Sequence, residues 1–290
     1  GRHDTLLQAI DWSWELLDET ERSALEQCAV FVGGFAIDDA EAVVDLGDEA
    51  PSVVDVLEGL RRHSLIRSER PAQFPDETRL YFYVTVREFL RSQPGAGTEE
   101  GLKRRHVGYF LDCAERWSGR RSGAMTLEGR RRMAMNRENL LRAHESALEF
   151  EDARAAGLVL ALEPLSHVEI PGEVYGDLLG RTLEIVGEEG RNELQLARGV
   201  LRSELGQTRM ALEDLASAHI GAPEVSINGA VRGFVALGDV HARLGRPGEA
   251  LSATEAAVER ANQRRDPSLA AGRAHAAHAE RLALSGRHDE

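Results

Sequence analysis

The sequence predicts a mainly α chain: a winged-helix-like set of helices closed by a small β-hairpin, then a solenoid of repeated helix pairs. Three observations carry this. Apolar residues recur at spacings of three and four along most of the 290 residues. Two short strand-like runs, 64–67 and 78–86, flank a polar stretch that holds Pro71 and Pro75. A Gly turn then recurs, with Gly206 and Gly245 39 residues apart and Gly245 and Gly286 41 apart.

The elements follow in order. Residues 5–17 place Leu6, Ile10, Trp14 and Leu17 on one helix face. Asp18, with Glu21 three residues later, predicts a capped second helix carrying Leu25, Cys28 and Ala29 inward. Gly33-Gly34 should stop it, because glycine enters the left-handed region without strain. Residues 38–44 read as a short third helix. Pro51 should open a fourth, with Val53, Val56, Leu57 and Leu60 on one face. The two strand runs come next, then a closing helix over 86–92. Pro94-Gly95-Ala96-Gly97 is the expected linker.

From Glu99 onward the pattern is helix after helix. The segment Leu205-Gly206-Gln207-Thr208-Arg209-Met210-Ala211-Leu212 is echoed by Leu244-Gly245-Arg246-Pro247-Gly248-Glu249-Ala250-Leu251, and Ser285-Gly286-Arg287 begins a third copy. A period near 40 predicts a TPR-like solenoid in which Gly245 reverses the chain and Ala250 and Ala257 let helices approach. Gly238 weakens its helix by about 1 kcal/mol relative to Ala, so close packing is the expected reason for it. The expected divisions are a winged-helix domain over 1–95, a helical region over 98–190 and TPR-like repeats over 191–290. A solenoid ends in a polar cap; the break within a repeat leads us to expect a piece of a longer protein.

Composition excludes several functions. No apolar run approaches the length of a membrane span, and the N-terminus lacks a signal-peptide pattern. Cys28 and Cys113 read as buried thiols of a reducing cytosol, which places the chain in the cytoplasm. The net charge is −14, and residues 1–95 hold 9 Arg against 19 acidic residues. Such an acidic first domain argues against nucleic acid as a partner.

The order of motifs resembles a known family. It runs Thr5-Leu6, Ala9-Ile10-Asp11-Trp12-Ser13-Trp14, Ala29-Val30-Phe31 with Gly33-Gly34-Phe35, Val56-Leu57 with Leu60, Ser64-Leu65-Ile66 and Thr85-Val86-Arg87-Glu88-Phe89. Arg104-Arg105-His106, Tyr109-Phe110-Leu111 and Glu138-Asn139-Leu140 with Ala143 continue it. Over about residues 2–150 this is similar to the winged-helix segment that follows the NB-ARC module of bacterial STAND ATPases and, from Arg104 on, to the helical start of their sensor region, in regulators of the AfsR and LuxR-like types and kinase-associated ATPase-TPR proteins. The resemblance implies a signal-transduction switch. An NB-ARC module holds ATP or ADP with Mg, and TPR repeats sense a protein or peptide partner. This chain holds no cofactor of its own in that scheme. A P-loop needs Gly-Lys-Ser/Thr, and the only lysine, Lys103, stands between Leu102 and Arg104. The chain is therefore expected not to be an enzyme, although its parent would be an ATPase. Where related switches carry Met-His-Asp at the nucleotide, Phe82-Tyr83-Val84 stands here, so an approach of Tyr83 or Val84 to a nucleotide is left open.

TPR concave surfaces are lined by the first helix of each repeat. Carried over by register from Gly238, the resemblance implies Arg232, Val235, Asp239 and Arg243 as partner-binding positions, and Arg273, Ala276 and Glu280 in the next repeat. The alternative for this face is an ordinary solvated surface. Other features weigh less. His275 and His278 lack a third ligand and read as surface or packing residues. Lys103-Arg104-Arg105, Arg120-Arg121 and Arg130-Arg131-Arg132 are a solvated surface, a docking patch for an acidic module of the same protein, or a DNA contact, the last without any accompanying aromatic or base-reading pattern. Trp12 either faces a neighbouring domain, such as the intramolecular NB-ARC module, or stands partly exposed. The competing function is a DNA-binding winged-helix regulator with a helical oligomerisation region, kept open by Arg61, Arg62, Arg67 and Arg70.

Overall fold

The computed structural model describes residues 2–93, 99–120, 125–166, 168–222, 225–263 and 269–284, with side chains from residue 9 onward except at 189, 269 and 270. The expected linker at 94–97, Arg121 and the third turn from Ser285 lie outside the described residues, as does the side chain of Leu6. Two compact units emerge, Gly1–Leu165 and Ser166–Glu290. The expected divisions after residues 95 and 190 fall inside these units.

The first unit opens with α1 (Arg2–Glu15), which turns Ile10 into the core and sets Trp14 edge-on to Phe89, ring centroids 5.5 Å apart. Helix α2 (Glu19–Cys28) starts in a full capping box: Asp18 accepts from the Glu21 amide, and the Glu21 carboxylate accepts from the Asp18 amide. It ends at Cys28, five residues before Gly33, earlier than the glycines suggested. Burial of Val30, Phe31 and Phe35 decides the exit path, while Gly33 takes φ +89° beyond it.

Strand β1 (Phe35–Ala36), α3 (Ile37–Val43) and α4 (Val53–Arg62) follow. Ser52, not Pro51, caps α4, accepting from the Asp55 amide. Strands β2 (Ile66–Glu69) and β3 (Arg79–Phe82) complete an antiparallel sheet of order β1-β3-β2, with Phe35 opposite Leu80 and Ile66 opposite Phe82. The second strand run is shorter than expected. Val84 already lies in α5 (Val84–Ser92), because Val86, Phe89 and Leu90 reach the core only at helical spacing. Burial here overrides the β-propensity of Val84-Thr85-Val86.

Helices α6 (Glu100–Trp117), α7 (Leu127–Met135), α8 (Arg137–Glu149) and α9 (Arg154–Ala161) and a 3-10 turn at Glu163–Leu165 close the unit. They join the first ninety residues through buried polar links. The Asn139 side chain accepts from the Val32 amide at 2.8 Å and donates to the Gly34 carbonyl at 3.0 Å. Fully buried Arg79 donates to the same carbonyl and, at 3.0 Å, to the Asn136 side chain. Each of these groups left unpaired in the core costs roughly 1–3 kcal/mol, so the set fixes one docking of α8 on the sheet.

The second unit holds α10 (Gly172–Ile185) and then two complete helix pairs, α11 (Glu188–Glu204) with α12 (Thr208–Ser217) and α13 (Ile227–Arg243) with α14 (Pro247–Asn262). Helix α15 (Leu269–Leu284) packs against both α13 and α14. Gly206 and Gly245 make the two within-pair reversals at φ +75° and +70°. A Cβ on either would meet nothing within 4 Å, so conformation and not space selects glycine there.

Candidate partner-binding groove

The groove is built on the first helices of successive pairs. Helix α11 packs on α12 and α13, and α13 on α14 and α15, so α11, α13 and α15 line up along one side of the unit. Small residues set the spacing of the second pair. Ala250, Ala257 and Gly238 are buried, and Ala253 and Thr254 fill the remaining seam. Below the groove, Asp214 of α12 is almost fully buried and accepts from both Arg198 and Arg202 of α11, at 2.7 and 2.6 Å. That arrangement uses the carboxylate fully and locks the first pair.

A cavity of about 250 Å³ opens on this side. Helix α13 supplies Val231, Arg232, Val235, Ala236, Asp239 and Arg243; α11 supplies Val200, Ser203 and Glu204; α15 supplies Arg273. Five of the seven positions expected from the sequence are thus gathered around it. Ala276 and Glu280 are exposed on α15 and do not line it. The Arg243 guanidinium donates to the Ser203 carbonyl in the last turn of α11, a carbonyl that also accepts from the Gly206 amide at 3.1 Å. Asp239 accepts from Arg281 of α15 and so is half of an ion pair.

The α11 contribution, Val231 and Ala236 of α13, and Arg281 were not anticipated. The period held the signal for α11: stepping Asp239 and Arg243 back by 39 residues gives Val200 and Glu204. Nothing in the spacing marked Arg281.

The remaining candidates resolve individually. The His278 ring nitrogen Nδ1 is 3.1 Å from the Thr254 hydroxyl, and His275 is exposed. Among the described residues no group of three or more metal-ligating side chains comes together. Cys28 and Cys113 are buried free thiols; burial pushes the Cys28 thiol up to about 12 and raises that of Cys113, which opposes thiolate chemistry. The basic stretch is largely engaged within the first unit. Lys103 pairs with Glu149 at 2.6 Å, Arg104 with Glu100 at 2.7 Å, and Arg105 donates to the Val43 carbonyl at 2.8 Å. Trp12 is 66% exposed, Tyr83 42% and Val84 75%. No described helix is long and apolar enough to cross a membrane.

No family model matches the chain. Proteins from Mycobacterium bovis and from the CDC 1551 and H37Rv strains of Mycobacterium tuberculosis, described as HTH-type transcriptional regulators, are each 36% identical over 114 residues. The match covers 39% of this chain and 13% of each relative's length. Among solved structures, a Signal Transduction ATPase with Numerous Domains protein with a tetratricopeptide repeat sensor from Pyrococcus horikoshii aligns with a TM-score of 0.53 at 18% identity. That alignment covers 96% of this chain and 36% of the other. The fold is thus mainly helical with a small three-stranded sheet, and its helix-pair repeats resemble that TPR-bearing protein.

Proposed function

We propose that the chain is the regulatory and partner-sensing part of a signal-transduction STAND ATPase, binding a protein or peptide through the α11–α13–α15 face. The observation that carries this is the cavity at that face, which joins side chains from three successive first helices. The similarity to a STAND protein with a repeat sensor supports it at the level of fold. In this reading residues 1–95, the opening part of the first unit, are a winged helix. The order α2-β1-α3-α4-β2-β3 and the sheet order β1-β3-β2 suit that assignment. ATP or ADP with Mg would be held by an NB-ARC module elsewhere in the parent, and this chain would not hydrolyse ATP. Micromolar binding of Mg-ATP to the chain, measured by calorimetry, would overturn that part.

The direct test uses a random peptide-display library selected on the 290-residue chain. A photo-crosslinking amino acid at Val235 should capture selected peptides, and the same group at Glu255 on α14 should not. Capture from Glu255 alone, or from neither position, would refute the groove as the binding face.

A second reading is a DNA-binding winged helix, favoured by the description of the mycobacterial relatives. The helix that would enter a groove, α4, presents Val54, Asp55 and Glu58 beside Arg61 and Arg62, and Arg61 is paired with Glu58 at 2.7 Å. That mixed face lacks the excess positive charge that phosphate contact requires. Anisotropy with a random labelled duplex at low salt separates the readings: binding that weakens steeply with added salt would favour the second.

A further inference from the structure

Resting on the reading of the α11–α13–α15 face as the ligand site, we propose that its cavity recognises a carboxylate on an aliphatic stem, as presented by an acidic peptide segment containing Leu or Val. Charge is the first reason. The lining holds three guanidinium groups, from Arg232, Arg243 and Arg273, against two carboxylates, from Glu204 and Asp239. Asp239 is already the acceptor of Arg281, which does not line the cavity, so Asp239 leaves Arg243 and Arg273 to an incoming acceptor. Counted by its lining groups alone, the cavity has one more positive than negative charge in a chain whose net charge is −14.

Geometry is the second reason. Arg243 is held in place by donating to the Ser203 carbonyl through Nη1. A guanidinium carries five N–H donors in a rigid fork, so most of them remain for an acceptor with two oxygens. Exposed Arg273 on α15 makes no ion pair among the described residues and lines the same cavity. The third reason separates carboxylate from phosphate. The lining also holds Val200, Val231, Val235 and Ala236, of which Val235 is the one left partly exposed. That apolar surface is covered by methylene and methyl groups and would be left bare by a wholly polar phosphate. At about 250 Å³ the cavity falls below the roughly 300–1,000 Å³ of small-molecule sites, which suits one or two side chains and not a nucleotide.

The test uses fluorescein-labelled acetyl-Glu-Leu-Glu-Val-Glu-amide and its twin with Gln at every Glu position, titrated against the whole chain by anisotropy. The acidic peptide should bind about tenfold more tightly or better, as expected for charge-assisted hydrogen bonds. Arg273→Gln and Arg243→Gln should each remove most of that difference while far-UV dichroism stays unchanged; Arg209→Gln on α12 should not. Free glutamate should compete better than inorganic phosphate. Equal affinity of the two peptides, no binding of the acidic one, indifference to both cavity substitutions or stronger competition by phosphate would each overturn the proposal. Library peptides captured at Val235 without acidic residues would sink this inference and leave the binding face standing.

Discussion

Gly238 faces Thr254 so closely that a Cβ on Gly238 would stand 2.8 Å from the Thr254 Cγ2 methyl and 3.2 Å from the Ala250 carbonyl oxygen. Thr254 cannot readily give way. Its hydroxyl donates to the Leu251 carbonyl at 2.9 Å and stands 3.1 Å from His278 Nδ1. In a helix, Ala normally gains about 1 kcal/mol over Gly, and here the collision should outweigh it. Gly238→Ala is expected to cost roughly 1–2 kcal/mol. Gly180→Ala, on α10 with nothing within 4 Å of the added carbon, should instead gain up to about 1 kcal/mol. A Gly238→Ala thermal midpoint at or above the parent's would show that the α13–α14 seam is looser than described.

Gly245 presents the opposite case, open space with a demanding backbone. At φ +70° a β-branched side chain is disfavoured whatever its surroundings. Gly245→Val should cost well over 1 kcal/mol, and Gly245→Asn appreciably less, because Asn tolerates the left-handed region. Equal midpoints for the two variants would mean that the turn rearranges. Either substitution should act through the second unit's stability.

His106 lies fully buried between Phe31 and Phe110, with ring centroids 5.6 and 4.6 Å away. Among the described residues neither of its ring nitrogens has a hydrogen-bond partner. Burial, and then the nearby Arg142 charge, pushes its pKa down from 6.5 to about 3. Between those values the unfolded chain binds the proton and the folded chain does not. Stability therefore rises with pH across this window and is lost as pH falls below about 6.5. Buried Asp39 has its pKa raised, mainly by desolvation, and acts in the opposite sense, so the effect is read as a difference between variants. His106→Leu should remove about 2 kcal/mol of the loss between pH 6.5 and 5. Urea midpoints at the two pH values that fall by equal amounts in parent and variant would refute this.

Much of the helical frame was legible because burial here follows one-dimensional patterns. The capping box at Asp18 and Glu21, the reversals at Gly206 and Gly245 and the close approach at Gly238 are local chemistry, and each sits where the residue type implied. The two-residue strand β1 was not legible, since it is too short to show a period and exists only by pairing with β3. The tie between Asn139 and the backbone of Val32 and Gly34 spans more than a hundred residues and leaves no trace in spacing. At the candidate groove the repeat register gave four of the six α13 residues that line the cavity, and Arg273. Partners that reach in from other helices, such as Arg281 onto Asp239, depend on side-chain reach that no period encodes.

Arg132 on α7 anchors the loop between β2 and β3. Its guanidinium donates to both oxygens of Glu77, at 2.5 and 3.3 Å, and to Glu128 at 2.9 Å, and it lies 4.5 Å from the centre of the Phe74 ring. Arg132 and Glu77 are both about a quarter to a third exposed, so solvent screening limits the pair to about 1 kcal/mol. The ring contact adds about as much again. Arg132→Ala should accordingly leave the global midpoint within a few degrees of the parent. The local effect should be larger, because loop opening needs only these contacts to break. A protease that cleaves after acidic residues should cut at Asp76 and Glu77 several-fold faster in the variant. Arg132→Lys should fall between, since it keeps the charge and loses the two-pronged fit. Cleavage at the parent's rate in Arg132→Ala would mean that the loop is held by its own turns, where the Phe74 amide donates to Pro71 at 2.9 Å and the Glu77 amide to Phe74 at 3.0 Å.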